Sequence, residues 1–294
     1  MNARDLLTAL LVVTLWGLNF IAVKVAVAVL PPFLLTGVRF AGVALALAPF
    51  FRPRRDQLWG IAGIGLVLGC GHFGLLFFGV SGMDAATAAL VTQLGVPFSA
   101  LLAWIAFGEK LGAARAIGLC LAFAGVALLA GEPSLPHWLP MAVSVLAMVA
   151  WAVSNVQVKR LGEIPPLALN GWMALFAAPM LLALSAAGEH GQLDALARAA
   201  GDGKVLAAIA YTVIGSSLVA YSLWYRLLAR HPMNRVVPVT LLGPVVGVAG
   251  GVVGLGEPLG WHKLVGGALT ITGVAVMELI GGVVPPKEEP EPGA

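Results

Sequence analysis

The stretch GEKLGAARAIGLCLAFAGVA, from Gly108 to Ala127, recurs 148 residues later as GEPLGWHKLVGGALTITGVA, from Gly256 to Ala275. Both copies open on Gly-Glu, continue with Leu-Gly and close on Gly-Val-Ala. Shared Ala, Val and Leu carry little weight in so apolar a chain, whereas glycines at matching intervals are hard to obtain by chance. The chain is therefore predicted to contain an internal duplication.

The duplication extends towards the start of each copy at a slightly shorter offset. Trp16 and Lys24 match Trp151 and Lys159, which lie 135 residues further along the chain. The long loop over residues 188–203 absorbs the difference between the two offsets.

The composition places both copies in a membrane. Of the 294 residues, 60% are hydrophobic and 11% are charged, and the mean hydropathy is +0.95. Soluble domains carry about 25% charged residues, so this chain cannot build a water-facing shell. A strand-built barrel is excluded as well, because its segments are about ten residues long and alternate in polarity.

Ten apolar runs of about bilayer-spanning length are predicted to be helices. They cover residues 6–29, 33–51, 57–79, 84–107, 111–130, 137–157, 167–187, 204–228, 233–255 and 259–280. The first run is too long for a typical signal peptide and lacks a clear small-residue cleavage site, so it is expected to stay attached.

The basic residues predict the orientation of these helices. With a cytoplasmic N-terminus, 12 of the 17 Lys and Arg fall on the cytoplasmic side, 3 fall outside and 2 lie within helices. This distribution follows the positive-inside rule, so the basicity indicates topology rather than a nucleic-acid partner. We predict that both termini are cytoplasmic and that residues 283–294 form a disordered tail. Asp194 and Arg198 are expected on an outer surface helix.

Residues 1–131 and 132–282 each hold five predicted helices. Because five is odd, the second unit enters the membrane from the opposite side, which makes an inverted-topology repeat. Such repeats are common in secondary transporters, where two similar halves open one central site to either face in turn. A duplicated but static scaffold or receptor is the alternative.

Several motifs together resemble one known family. They are Trp16-Gly17-Leu18-Asn19-Phe20 with Lys24, the helices of Pro97 and Pro244 that end in Gly108-Glu109 and Gly256-Glu257, and the spacings Gly118/Gly125 and Gly266/Gly273. Over residues 5–282 this pattern is similar to the EamA-type branch of the drug/metabolite transporter superfamily, and in overall similarity to its YddG-type exporters of aromatic and other neutral amino acids. The resemblance implies ten helices in two inverted halves around a cavity. The chain departs from this pattern after each Gly-Glu motif, where it has Arg115 and Lys263 at positions at which many relatives carry Gln.

Polar groups at bilayer depth identify candidate cavity residues, because they are costly unless they face a cavity or a partner. Trp16 and Asn19 share one face of the first helix, and Trp151, Ser154 and Asn155 share one face of the sixth. A Trp and an amide on both helices would offer stacking and hydrogen bonds to a small zwitterion. Hydrogen bonding between packed helices is the alternative.

Further candidates lie on the third, fourth and eighth helices. His72 can hydrogen-bond a substrate or exchange a proton, or else bond a neighbouring helix. Ser217 and Tyr221 form one stripe, and Gln93 and Pro97 form another. The aromatic stripes are also compatible with plain packing. No second His or acid stands at metal-ligand spacing from His72, so neither a metal nor another cofactor is predicted.

Charges and helix breakers complete the set of candidates. Lys24 and Arg39 are interpreted first as structural, with binding of a substrate carboxylate as the alternative. Pro97 and Pro244 can bend their helices and act in gating, or serve tight packing. The pairs Gly108-Glu109 and Gly256-Glu257 are interpreted as structural groups at the membrane interface. No acid stands clearly at the midplane, so obligatory proton antiport is not predicted.

The sequence thus predicts a transporter that works by alternating access, and the resemblance implies that it lies in the bacterial inner membrane and exports small neutral or aromatic amino acids or related metabolites. A broader drug or metabolite exporter is the alternative within the same class. A receptor or intramembrane enzyme is disfavoured, since the chain contains no nucleophile elbow, metal-binding His pair or P-loop. The predicted partners are a small-molecule substrate and the lipid bilayer, with the protein as a monomer or weak homo-oligomer.

Overall fold

The computed structural model describes residues 3–107, 112–131, 138–231 and 237–280, and all regular structure within them is helical. Its apolar helices are α1 (Ala3–Val27), α2 (Pro32–Leu47), α3 (Arg55–Ser81), α4 (Ala85–Ala106), α5 (Ala113–Leu129), α6 (Trp138–Leu161), α7 (Pro166–Gly188), α8 (Gly203–Trp224), α9 (Val239–Leu255) and α10 (Trp261–Ile280). Seven are long and apolar enough to cross a membrane, while α2, α5 and α9 are shorter. The chain is therefore an all-helical, multi-pass membrane protein. Gly108, Glu109 and the predicted tail over residues 283–294 lie outside the described residues.

Each of the ten apolar helices overlaps one predicted apolar run, with differences at the ends. The predicted second helix reaches residue 51, but α2 ends at Leu47. Pro49 explains the difference, because proline has no backbone N–H to donate to the preceding turn, although Ala48 before it still has helical backbone angles. The surface helix expected near Asp194 is present as Gln192–Gly201, with Ala195 and Ala199 buried beneath it.

Five of the apolar helices change their winding part-way, and one of them, α10, is π-helical over its last residues, Val276–Ile280. Helix α3 is π-helical over Gly65–Gly74, and α8 is π-helical over Tyr211–Val219. Helix α4 contains a 3₁₀ turn at Thr92–Leu94, and a 3₁₀ segment at Val237–Leu242 leads into the α-helical part of α9. A π segment disturbs the regular hydrogen-bond ladder and is frequent at functional sites. The irregular windings thus mark where polar contacts inside the bundle are to be sought.

Glycines set the closest helix contact, between α5 and α10. A Cβ added to Gly125 would lie 2.5 Å from the carbonyl oxygen of Gly266, and one added to Gly273 would lie 2.5 Å from that of Gly118. Side chains at these positions would collide with the facing backbone. The two glycine pairs of the internal duplication therefore serve one interface, in which the two helices pack backbone to backbone.

Polar contacts join the helix ends at the face predicted to be outer. Lys24 Nζ on α1 donates to the carbonyl oxygens of Val80 at 3.1 Å and Met83 at 2.6 Å, where α3 ends. Lys263 on α10 forms an ion pair with Asp84, which precedes α4. Each contact joins two helix ends that lie at the same membrane face if successive helices cross the membrane in alternating directions. Lys24 is therefore a tie between helices, in line with its structural interpretation.

The opposite face is joined in the same manner. Trp172 Nε1 donates to the carbonyl oxygen of Phe51 at 2.8 Å, which ties the start of α7 to the chain beyond α2. Asp5, at the start of α1, lies 2.8 Å from Nε2 of His231. His231 directly follows Arg230, the residue at which the helical continuation of α8 ends. These contacts again connect ends that the alternating order places at one face.

Candidate functional site

A cavity of about 60 Å³ lies where α2, α3, α7 and α8 meet. It is lined by Arg39, Phe40, Leu68, Phe73, Leu169, Asn170, Met173, Ser217 and Tyr221. The π segments of α3 and α8 supply Phe73 and Ser217. Pockets that hold drug-sized ligands are several hundred Å³ in volume, so the site must widen to take a whole amino acid.

Arg39 is the dominant polar group of this cavity. It lies two turns into α2 and is only 1% exposed. Its Nε donates to Ser217 Oγ at 3.1 Å, and Ser217 in turn donates to the carbonyl oxygen of Thr212 at 2.8 Å. Its guanidinium carbon lies 4.9 Å from the ring centroid of Phe73 and 5.4 Å from that of Phe77. Cation–π attraction and one serine therefore hold the guanidinium in place.

These contacts leave part of the Arg39 hydrogen-bonding capacity unused. Its Nη1 is buried without a hydrogen-bond partner, and no carboxylate among the described residues pairs with it. Asn170 Nδ2, on the α7 wall of the same cavity, is likewise buried without an acceptor. Buried polar groups without partners are costly and are rare in native proteins. Two unused donors at one cavity indicate a binding place for oxygen atoms, such as those of a carboxylate.

Three of the sequence-predicted residues lie in or directly behind this site. Ser217 and Tyr221 line the cavity. The ring centroid of Trp16 lies 5.2 Å from that of Tyr221, and its Nε1 donates to the carbonyl oxygen of Ser216 at 3.3 Å. Trp16 therefore supports the α8 wall from α1.

The α6 candidates form a separate group, together with Gln93 on α4, and none of them lines the Arg39 cavity. Trp151 packs over Gly95, since a Cβ there would lie 2.8 Å from Trp151 Cε3. Ser154 donates to the backbone oxygen of Trp151 at 2.7 Å, and the exposed Asn155 donates to Ser99 Oγ at 3.1 Å. In this conformation the polar faces of α1 and α6 do not share one cavity.

His72 and Asn19 also lie outside the cavity lining. His72 is buried, and its Nδ1 lies 3.0 Å from the carbonyl oxygen of Ala147, which joins α3 to α6. Its ring stands edge-on to Phe73 at 4.5 Å, one residue from the cavity wall. Asn19 Oδ1 on α1 is buried without a hydrogen-bond partner.

The predicted gating residues lie at changes in helix geometry. Pro97 and Pro244 are both buried and follow the 3₁₀ turns of α4 and α9 within three residues. Gly256 ends α9 in the left-handed conformation, with φ of 68°. Glu257 then turns inward and accepts hydrogen bonds from the backbone of α4.

Sequence reasoning missed Asn170 and the aromatic wall of Phe40 and Phe73. The available signal for Asn170 was a lone amide about one turn into an otherwise apolar helix. Phenylalanines in an apolar run carry no comparable signal, because packing explains them equally well. Among the described residues, no group of three His, Cys, Asp or Glu side chains is placed to hold a metal ion.

Comparison with known proteins covers nearly the whole chain. The model of the EamA-like transporter family matches residues 4–131 and 138–279. A probable amino-acid metabolite efflux pump of Salmonella typhimurium is 32% identical over 94% of this chain and 95% of its own length. The Escherichia coli protein of the same description is 31% identical over the same shares. A solved crystal structure has the same fold, with a TM-score of 0.65 and 22% identity over 95% of this chain and 98% of the other.

Proposed function

We propose that this chain, which belongs to the EamA-like transporter family, exports small neutral or aromatic amino acids or related metabolites through the Arg39 cavity. Membership makes the protein a membrane transporter rather than an enzyme. The observation that carries the substrate assignment is the buried guanidinium of Arg39, whose Nη1 has no partner in a cavity walled by aromatic rings. The description of both bacterial relatives as amino-acid metabolite efflux pumps supports the same class.

The cavity offers the carboxylate and the side chain of such a substrate a matching surface. A carboxylate can accept hydrogen bonds from Arg39 Nη1 and Asn170 Nδ2, and charge-assisted bonds of this kind are the stronger ones. An apolar or aromatic side chain can pack on Phe40, Phe73 and Met173. Carboxylate binding was the secondary interpretation of Arg39 in the sequence, and burial without an acidic partner now favours it over a purely structural role.

The proposed architecture is two inverted five-helix halves, residues 1–131 and 132–282. Corresponding helices share several irregularities, because the third and eighth contain π segments and the fourth and ninth contain 3₁₀ turns. The π-helical end of the tenth helix has no counterpart in the fifth. The contacts between helices also correspond when each helix of one half is replaced by its counterpart in the other half. Helix α2 packs on α7 and α5 on α10, while the contact of α1 with α9 has its counterpart in that of α6 with α4.

Alternating access then follows from the two halves exchanging conformations. In the proposed orientation both termini lie in the cytoplasm and the protein resides in the bacterial inner membrane, as the distribution of Lys and Arg supports. The contacts of Lys24, Lys263 and Glu257 close the outer end of the bundle. The 3₁₀ turns before Pro97 and Pro244 are the proposed bending points.

Uptake of radiolabelled amino acids into liposomes that contain only the purified protein tests this proposal. We expect saturable uptake that unlabelled tryptophan or phenylalanine inhibits, with or without an imposed pH gradient. Arg39→Met should abolish uptake, whereas Arg198→Met, on the exposed outer surface helix, should leave it unchanged. If no amino acid is transported but cationic drugs are, the broader exporter replaces this assignment.

A further inference from the structure

Arg39 is the only charged side chain among the residues that line the cavity. The other lining residues are aromatic or aliphatic, together with Asn170, Ser217 and Tyr221. The described site therefore carries one positive charge and no negative charge. A ligand with one carboxylate and no cation would leave the occupied cavity neutral.

An amino acid brings a second charge that this cavity is poorly equipped to receive. Its ammonium group needs carboxylate, carbonyl or hydroxyl acceptors once it is removed from water. The Ser217 hydroxyl already accepts from Arg39 and donates to the backbone of Thr212. The neutral oxygens of the Asn170 amide and the Tyr221 hydroxyl also line the cavity, but no carboxylate does so among the described residues. The aromatic faces of Phe40 and Phe73 already lie against the guanidinium, so they have little left to offer a second cation.

The unused groups match the anionic end of a ligand instead. Arg39 Nη1 and Asn170 Nδ2 are both donors, and both are buried without an acceptor. A carboxylate has two oxygens and accepts without donating, so it satisfies both donors together. Next to them lie Leu68, Phe73 and Met173, which favour an apolar body beside the carboxylate.

We propose that the cavity prefers apolar monocarboxylates over zwitterions, so that N-acylated amino acids and arylalkanoic acids bind more tightly than the free amino acids. This inference rests on the proposed function, because it takes the Arg39 cavity as the substrate site. It deepens that function by naming the carboxylate as the required group and the ammonium as dispensable.

Binding of four matched probes to the purified protein in lipid nanodiscs tests the inference. Each probe is titrated calorimetrically at pH 7.4. Phenylacetate and N-acetylphenylalanine then carry one negative charge, phenylalanine carries one charge of each sign, and phenethylamine carries one positive charge. We expect the two anions to bind at least about tenfold more tightly than phenylalanine, because an unsatisfied buried ammonium is costly. Phenethylamine should not bind measurably.

Two variants connect this preference to the residues that carry it. Arg39→Gln should abolish binding of phenylacetate and N-acetylphenylalanine, and Asn170→Ala should weaken both about tenfold, which is the usual scale for a hydrogen bond to a charged group. Arg198→Gln serves as the matched control and should change nothing. The order of affinities in the unchanged protein is decisive even if Arg39→Gln fails to fold.

The outcomes separate this inference from the proposed function. Phenylalanine binding as tightly as phenylacetate, or more tightly, would reveal an ammonium subsite and overturn the preference while amino-acid transport stands. Uptake of phenylalanine that phenylacetate does not inhibit would have the same meaning. If neither compound binds and no amino acid is transported, the proposed function itself fails.

Discussion

The carboxylate of Glu257 accepts a hydrogen bond from the backbone N–H of Ala85 at 2.6 Å, across 172 residues of chain. Its second oxygen accepts from Ala86 at 2.9 Å. These two N–H groups begin α4, and a helix start favours a negative charge because its first N–H groups have no partner within the helix. Gly256, in the left-handed conformation, turns the chain so that the glutamate can reach them. One side chain thus ties the end of α9 to the start of α4.

Replacing this carboxylate with an amide should loosen the tie. We expect Glu257→Gln to lower the free energy of unfolding by roughly 1–2 kcal/mol, because a neutral oxygen accepts weaker hydrogen bonds and loses the interaction with the helix dipole. Thermal unfolding in detergent would measure the effect. Glu163→Gln, at an exposed position, is the control. Equal melting temperatures for the two variants would contradict a stabilising role for Glu257.

Glu189 gives an independent comparison at the neighbouring helix pair. It follows α7, and its carboxylate accepts from the backbone N–H groups of Phe33 at 2.8 Å and Leu34 at 3.1 Å, where α2 begins. Glu189→Gln should therefore destabilise by a similar roughly 1–2 kcal/mol. Combined with Glu257→Gln, the two effects should add, because the capped helix starts do not share partners.

The ion pair between Lys263 and Asp84 should behave differently from a surface pair. Lys263 is 2% exposed, so Asp84→Asn leaves a buried ammonium without its carboxylate and with neutral oxygens alone, such as the carbonyl oxygen of Pro258. Breaking a buried pair costs about 3–5 kcal/mol, more than removing both partners. We expect the double change Asp84→Asn with Lys263→Met to be more stable than Asp84→Asn alone. Chemical denaturation of the unchanged protein and of these two variants measures their free energies of unfolding. A double variant less stable than Asp84→Asn alone would mean that the pair is solvated.

The α5–α10 contact should not tolerate side chains. Gly125→Ala places a methyl group 2.5 Å from the Gly266 carbonyl oxygen, so the helices must separate, at a cost of roughly 1–3 kcal/mol. Gly188→Ala is the matched control, because nothing lies within 4 Å of its added Cβ. The yield of folded protein in size-exclusion chromatography would report the difference, and equal yields would argue against close backbone packing.

Ser217 should set the position of Arg39 rather than bind substrate strongly itself. Ser217→Ala removes the acceptor of Arg39 Nε, so the guanidinium becomes less ordered and transport should show a KM raised roughly tenfold. Ser222→Ala, on the exposed side of the same helix, should have no effect. An unchanged KM in Ser217→Ala would mean that the phenylalanine rings alone orient Arg39.

Local properties of the chain were readable from the sequence. The apolar runs predicted the helices, because their length and composition reflect the bilayer. The paired glycines indicated a duplication, and the structure adds that they face each other between α5 and α10. Pro49 lies within the predicted second helix, and α2 ends before it, at Leu47. The similarity between the two halves of the chain can likewise be seen by comparing their sequences.

The partners of the polar side chains depended on tertiary structure. Arg39 and Ser217 are 178 residues apart, and Asn170 reaches the same cavity from a third helix. Their meeting depends on the rotation and tilt of each helix, which packing across the whole bundle sets and no local pattern encodes. For the same reason the symmetric pairing of α1 with α6 suggested one shared cavity, whereas the structure places Trp16 behind Tyr221 and packs Trp151 over Gly95. The sequence by itself determined the apolar helices of a membrane protein. Only the packed bundle decided which buried charge has no acidic partner among the described residues, since burial and pairing are properties of the assembled helices.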